Sequence, residues 1–148
     1  SDSIIFFREA YNFSNGEFGE LSRRILWPLI ISFVFIFFKS DNISNYIDIM
    51  QIMSIFISSI TIPVVYFFAK HFVRNKYAFI AAGLFAIEPN IINNSNFTLT
   101  EPLFIFMGIL SLYFVLKFNL KGIIIGVIFM GLAFDTRLNA IILPFILF

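Results

Sequence analysis

Long apolar runs separated by short polar connections dominate this 148-residue chain and restrict what it can fold into. Hydrophobic residues make up 59% of the chain, and phenylalanine alone occurs 23 times. A soluble domain of this size has too little interior to bury so much apolar surface. The sequence therefore predicts an all-α, polytopic transmembrane helical bundle. The apolar runs are residues 25–38, 49–68, 77–87, 103–118 and 122–134, and a sixth begins at residue 138.

Composition excludes several classes of protein. The formal net charge is only +1, whereas a nucleic-acid-binding protein needs a basic face. Cysteine is absent, so a disulfide framework or a thiolate metal site is excluded. The chain opens without a signal-peptide pattern and stops within an apolar run. The expectation is an internal piece of a larger protein, without its first helix and its C-terminal remainder.

The basic residues between the apolar runs predict how the chain lies in the membrane. Only the run 49–68 reaches the roughly 20 residues needed to span a bilayer unaided. Short loops rich in Lys and Arg face the cytoplasm. Two connections are therefore assigned to that side, and residues 39–48, 90–101 and 135–137 to the external side. The basic residues of the two connections are Lys70, Arg74, Lys76, Lys117 and Lys121.

The first apolar run, residues 25–38, is short for a membrane span. Fourteen residues give about 21 Å of helix, against a hydrocarbon core of roughly 30 Å. We therefore expect an external juxtamembrane helix that starts at Trp27-Pro28, with tryptophan at the interface. A tilted span extended through Arg23 and Arg24 is the alternative. The favoured division is an external segment over residues 1–45 and transmembrane helices over 46–148.

An asparagine-rich, uncharged stretch, residues 90–102, interrupts the apolar pattern and is expected to be a loop. Glu88 precedes Pro89, a pairing that disfavours helix at residue 88 and is expected to end the third run. Thr100 is expected to cap the next helix, with the Glu101 carboxylate in its first turn near the positive end of the dipole. Either carboxylate can be an ordinary helix-end charge or part of a site.

Asp135 and Arg137 follow the fifth apolar run directly. An ionised side chain near the bilayer centre costs roughly 2.5 to 3.5 kcal/mol on insertion scales, and even at the membrane rim such a pair suggests a function. In the structural interpretation the two residues form a salt-bridged turn. In the functional one the planar donor group of Arg137 holds a phosphate.

The order of these features resembles the GT-C class of polytopic glycosyltransferases, which use polyprenyl-phosphate-linked sugars and include protein O-mannosyltransferases and the aminoarabinose transferase. In that class an external loop carries an acid, an aromatic, a small residue and a glycine, and a Pro-Leu external helix follows. The matching residues here are Asp2, Phe6, Ala10, Gly16, Trp27-Pro28-Leu29, the run Val65 to Lys70, Thr100-Glu101-Pro102-Leu103, the run Gly131 to Arg137, and Leu143-Pro144. The resemblance covers nearly the whole chain. The departures are a single proline in the external helix and Ser3 in place of a second acid.

The resemblance implies a multi-pass enzyme that moves a hexose such as mannose from a polyprenyl-phosphate donor lipid to a protein or glycolipid acceptor on the external side. It implies Asp2 as the catalytic base or as the acid that polarises the acceptor, and Arg137 as a contact of the lipid phosphate. Glu101 would be a second catalytic carboxylate that orients the acceptor or the sugar. Asp135, Glu9 and Glu88 are further candidates for substrate binding. Carboxylates also suit a divalent cation. Some relatives use such an ion and others do not, so no metal is predicted.

Two other classes fit the same charges. A transporter or lipid flippase would also place broken helices and carboxylates around an external-facing polar cavity, although its acids would be expected nearer the middle of the membrane. In a non-catalytic membrane scaffold the acids would be ordinary charges at helix ends.

Overall fold

The computed structural model describes residues 2–17, 25–39, 42–96, 100–117 and 119–136. Seven α-helices and no strands occur within these ranges, which confirms the all-α prediction. The helices are α1 (Asp2–Ser14), α2 (Leu26–Phe37), α3 (Ile43–Ala69), α4 (Asn75–Ala86), α5 (Pro89–Asn96), α6 (Glu101–Val115) and α7 (Leu120–Thr136).

Helix α3 is the longest of the described helices. Its 27 residues give a helix of about 40 Å, and among the described residues it alone is long and apolar enough to cross a membrane. Its most apolar window has a mean hydropathy of 2.1, yet only 17% of that window is buried within the protein. The buried residues follow one stripe at helical spacing: Tyr46, Met50, Ser54 and Thr61. The remaining apolar surface of α3 is thus available to lipid.

Residues 89–96 form helix α5, so the prediction of a loop over residues 90–102 was wrong for this part. Helix α4 ends at Ala86, and Glu88 lies between the two helices, as its position before a proline indicated. The chain bends here because Pro89 has no N–H to continue the helical hydrogen bonds. Helix α5 packs on the middle of α3, where the Ser95 and Ser58 hydroxyls are hydrogen-bonded to each other.

Helices α6 and α7 form a tightly packed hairpin. The Ser111 hydroxyl donates a hydrogen bond of 2.8 Å to the Gly126 carbonyl. A Cβ atom on Gly122 would lie 2.6 Å from the Phe114 carbonyl oxygen, so only glycine permits this approach. Small residues four positions apart are a common device for close helix packing in membranes.

The main hydrophobic cluster joins α1, α2, the first half of α3 and the start of α6. Its aromatic members are in direct contact, and the centroids of the Phe35 and Tyr46 rings lie 4.6 Å apart. We call this part of the molecule the acidic end, because Glu9, Glu101 and Asp135 lie on the helix segments that form or adjoin it. The buried members of the cluster are Phe6, Ala10, Trp27, Ile31, Phe35, Tyr46, Met50 and Leu103.

Candidate functional site

The acidic end gathers carboxylates from helices that are distant in sequence. Ala10 of α1 and Leu103 of α6 both belong to the buried cluster. Glu9 immediately precedes Ala10, and Glu101 lies two residues before Leu103. Both carboxylate residues are half-buried. Packing of α1 against the cluster therefore brings two of the candidate site residues to one end of the bundle.

Glu101 begins helix α6, and its carboxylate lies in the first turn as the sequence indicated. A negative charge there is stabilised by the helix dipole. Thr100 does not cap the helix as predicted, because its backbone is already helical, at φ −75° and ψ −11°, and its side chain makes no capping hydrogen bond. Its carbonyl accepts the Phe104 N–H at 3.0 Å, as expected for the residue before a helix.

Asp135 connects the end of α7 to the start of α2. Its Oδ2 atom accepts a hydrogen bond of 2.7 Å from the Leu26 backbone N–H, 109 residues away in the chain. The first amides of a helix have no partner within the helix, and Ile25 supplies no side-chain cap to α2. A carboxylate satisfies such an amide well because the hydrogen bond is charge-assisted and the helix dipole favours the negative charge. This contact gives Asp135 a structural role.

Asp2 opens helix α1, one helical turn before Phe6 of the cluster. The backbone of α1 therefore brings residue 2 to the same end of the molecule as Glu101. The side chain of Asp2 lies outside the described residues, as do Arg137 and the Leu143-Pro144 pair. The interpretation of Asp135 and Arg137 as a salt-bridged turn lies outside them as well.

The contacts do not bring Glu88 into the acidic end. It is exposed at the junction of α4 and α5, and its Oε1 atom accepts a hydrogen bond of 2.9 Å from the Asn90 side chain. Neither of those helices contributes a residue to the buried cluster. Within the described residues, no three His, Asp or Glu side chains converge where they could hold a metal ion.

The environment of Trp27 differs from the one that the sequence predicted. It was expected at the membrane interface, but its side chain is fully buried in the cluster. Its indole N–H has no hydrogen-bond partner in the described part of the chain. The sequence shows a tryptophan before a proline at a helix start, a pattern that does not distinguish an interfacial ring from a buried one.

A match to a known protein family covers most of the chain. Residues 26–144, which are 119 of the 148, match the sequence profile of the family described as dolichyl-phosphate-mannose-protein mannosyltransferase. The matched region contains α2 to α7 with Glu101 and Asp135, and it begins after α1. No curated protein and no solved structure matches the chain. The resemblance to membrane glycosyltransferases is confirmed, and the chain belongs to the dolichyl-phosphate-mannose-protein mannosyltransferase family.

Proposed function

We propose that this chain is part of the catalytic domain of a membrane enzyme that transfers mannose from dolichyl phosphate mannose to a protein acceptor on the external side. The observation that supports this most is the packing at the acidic end. Helices α1 and α6, which carry Glu9 and Glu101, both contribute residues to the cluster there, and Asp135 is hydrogen-bonded to the start of α2.

The reaction needs a proton acceptor and a stabilised leaving group. The acceptor hydroxyl oxygen attacks the anomeric carbon of mannose, the bond from that carbon to the phosphate oxygen breaks, and the lipid phosphate keeps the electron pair. The hydroxyl proton passes to a carboxylate, for which Asp2 is our proposal, with Glu101 as a second carboxylate that orients the acceptor or the sugar. Arg137 would stabilise the departing phosphate through its planar donor group.

The proposed orientation has the acidic end outside the cell membrane and the basic connections in the cytoplasm. Helix α2 has only 12 residues, which give about 18 Å, and one of its faces packs on the acidic-end cluster. A juxtamembrane position fits such a helix better than a tilted span. Helices α1 and α2 would then form the external wall of the site.

The test is mannose transfer by the full-length protein in membrane vesicles supplied with labelled dolichyl phosphate mannose. We expect Asp2→Asn to lower the turnover rate by about 10²- to 10⁴-fold, the usual contribution of acid–base catalysis. Glu101→Gln should lower it by about 10²-fold, because the acceptor or the sugar loses its orientation. The matched control is Glu17→Gln, which removes an exposed carboxylate that follows α1.

Each outcome distinguishes the competing functions. Unchanged transfer by Asp2→Asn would remove the catalytic assignment of that residue. Absence of transfer by the unaltered protein, with movement of the lipid across the vesicle membrane, would favour a transporter or flippase. Absence of both activities would favour a scaffold.

A further inference from the structure

Charge is strongly segregated along the chain. Residues 49–87 and 102–134 contain no Asp or Glu, although they hold five of the ten Lys and Arg residues. All nine acidic residues lie elsewhere. The five basic residues and His71 occupy the α3–α4 and α6–α7 connections and the helix starts that follow them. We call this surface the basic end, and it consists of Lys70, His71, Arg74, Lys76, Lys117 and Lys121.

The fold brings the two connections against each other. The His71 ring meets the Tyr113 ring edge to face, with centroids 5.2 Å apart. Lys117 lies beside them, with its Nζ atom 4.9 Å from the centroids of both the Tyr113 and the Phe114 rings. These contacts place Lys117 of the α6–α7 connection beside His71 of the α3–α4 connection.

The positive charge of the basic end is not neutralised from within the described structure. All six side chains are exposed, and none of the five Lys and Arg residues forms an ion pair with a described residue. Beside them lies an open cavity of about 560 Å³, lined by Arg74, Asn75, Lys76 and Tyr77. Its volume is in the range of ligand sites, and two cations, an amide and a phenol hydroxyl make its lining suitable for a phosphate group.

The surroundings of this cavity favour a lipid over a free anion. Phe72, Phe79 and Ile80 are exposed by 63%, 74% and 55% next to the cationic residues. The apolar length of α3 ends just before them, at Ala69. A headgroup at the cations would thus have its acyl chains beside exposed apolar side chains, as expected at a membrane surface that carries anionic lipid.

We propose that the basic end binds the phosphate-bearing headgroup of an anionic phospholipid, with Arg74 and Lys76 as the principal contacts. Asn75 and Tyr77 donate hydrogen bonds to the headgroup, and Lys117 adds positive charge from the neighbouring connection. This site is separate from the donor-lipid site proposed at the acidic end. It requires only that the chain lies in a membrane, and does not depend on mannose transfer.

The test is a titration of the purified full chain in neutral detergent with phosphatidylglycerol, followed by native mass spectrometry. We expect the double variant Arg74→Gln, Lys76→Gln to bind phosphatidylglycerol about 25-fold more weakly, because each basic residue near an anionic lipid contributes about fivefold. The charge-conserving double variant Arg74→Lys, Lys76→Arg should bind within a few-fold of the unaltered protein.

The matched control is Arg8→Gln with Lys39→Gln, which removes the same two charges from exposed positions outside the basic end. Its affinity should stay unchanged, and thermal unfolding should show that both glutamine variants fold. Equal weakening in the two glutamine variants would overturn the proposal, as would equal binding of phosphatidylcholine. Displacement of the lipid by inorganic phosphate at similar concentration would show a soluble-anion site instead, and would also overturn it.

Discussion

At the scale of single residues, two fully buried serines differ in one respect. The Ser54 hydroxyl of α3 has no hydrogen-bond partner within the described structure, whereas the Ser111 hydroxyl of α6 donates to the Gly126 carbonyl. A buried polar group without a partner costs roughly 1 to 3 kcal/mol. A satisfied interhelical hydrogen bond in a membrane contributes about 0.6 kcal/mol on average.

The two serines should therefore respond in opposite ways to alanine. Ser54→Ala should raise the free energy of unfolding by about 1 kcal/mol, because it removes the unpaired hydroxyl. Ser111→Ala should lower it by about 0.6 kcal/mol, because the Gly126 carbonyl loses its donor. Unfolding in mixed micelles measures both, and each serves as the control for the other because the chemical change is identical. A shift of the same sign in both variants would contradict the prediction.

At the scale of helices, the glycines of α7 are not equivalent. A Cβ atom on Gly126 would lie 2.5 Å from the Val115 side chain and 2.9 Å from the Ser111 carbonyl oxygen. A Cβ atom on Gly131 would meet nothing within 4 Å. The first glycine thus sets the distance between α6 and α7, and the second lies on an open face of the same helix.

Gly126→Ala should lower the free energy of unfolding by about 1 to 3 kcal/mol, because the hairpin must separate to admit the methyl group. Gly131→Ala is the matched control and should raise it by up to about 1 kcal/mol, since alanine is the better helix former. Chemical unfolding of the two variants in parallel checks both values. Equal destabilisation would show that the close packing of α6 and α7 does not depend on Gly126.

The helices also show what could be predicted from sequence. The apolar run 49–68 predicted most of α3, although the helix begins at Ile43, within the expected connection over 39–48. The start of α6 at Glu101 followed from Thr100 and Pro102. Helix α5 was missed because asparagine and serine have weak helix propensity. There, Ser95 is buried and its hydroxyl is hydrogen-bonded to that of Ser58, so packing against α3 compensates for that weakness. The bond from Leu26 to Asp135 was also missed, since no local pattern relates residues 109 positions apart.

At the scale of the whole molecule, the contacts define an acidic end near the start of α3 and a basic end where α3 stops. Helices α3 and α6 run in the same direction, because Met50 and Leu103, near their starts, belong to one buried cluster and their ends meet through His71 and Tyr113. Helix α7 returns to the acidic end, where Asp135 holds the start of α2. The 27 residues of α3 give about 40 Å, more than the hydrocarbon thickness of a bilayer. The shorter helices α6 and α7, which join Glu101 and Asp135 to the basic end, give about 22 to 26 Å.

The length of α3 predicts that its two ends face opposite sides of the membrane. Because the chain has no cysteine, single cysteines report the two sides directly. We expect Ser44→Cys, at the exposed start of α3, to react with a membrane-impermeant maleimide added to intact cells. Leu120→Cys, at the exposed start of α7, should react only after the membrane is permeabilised. Labelling of both positions in intact cells would contradict a membrane-spanning α3, and the reverse pattern would place the carboxylates in the cytoplasm, where the proposed external transfer of mannose would be ruled out.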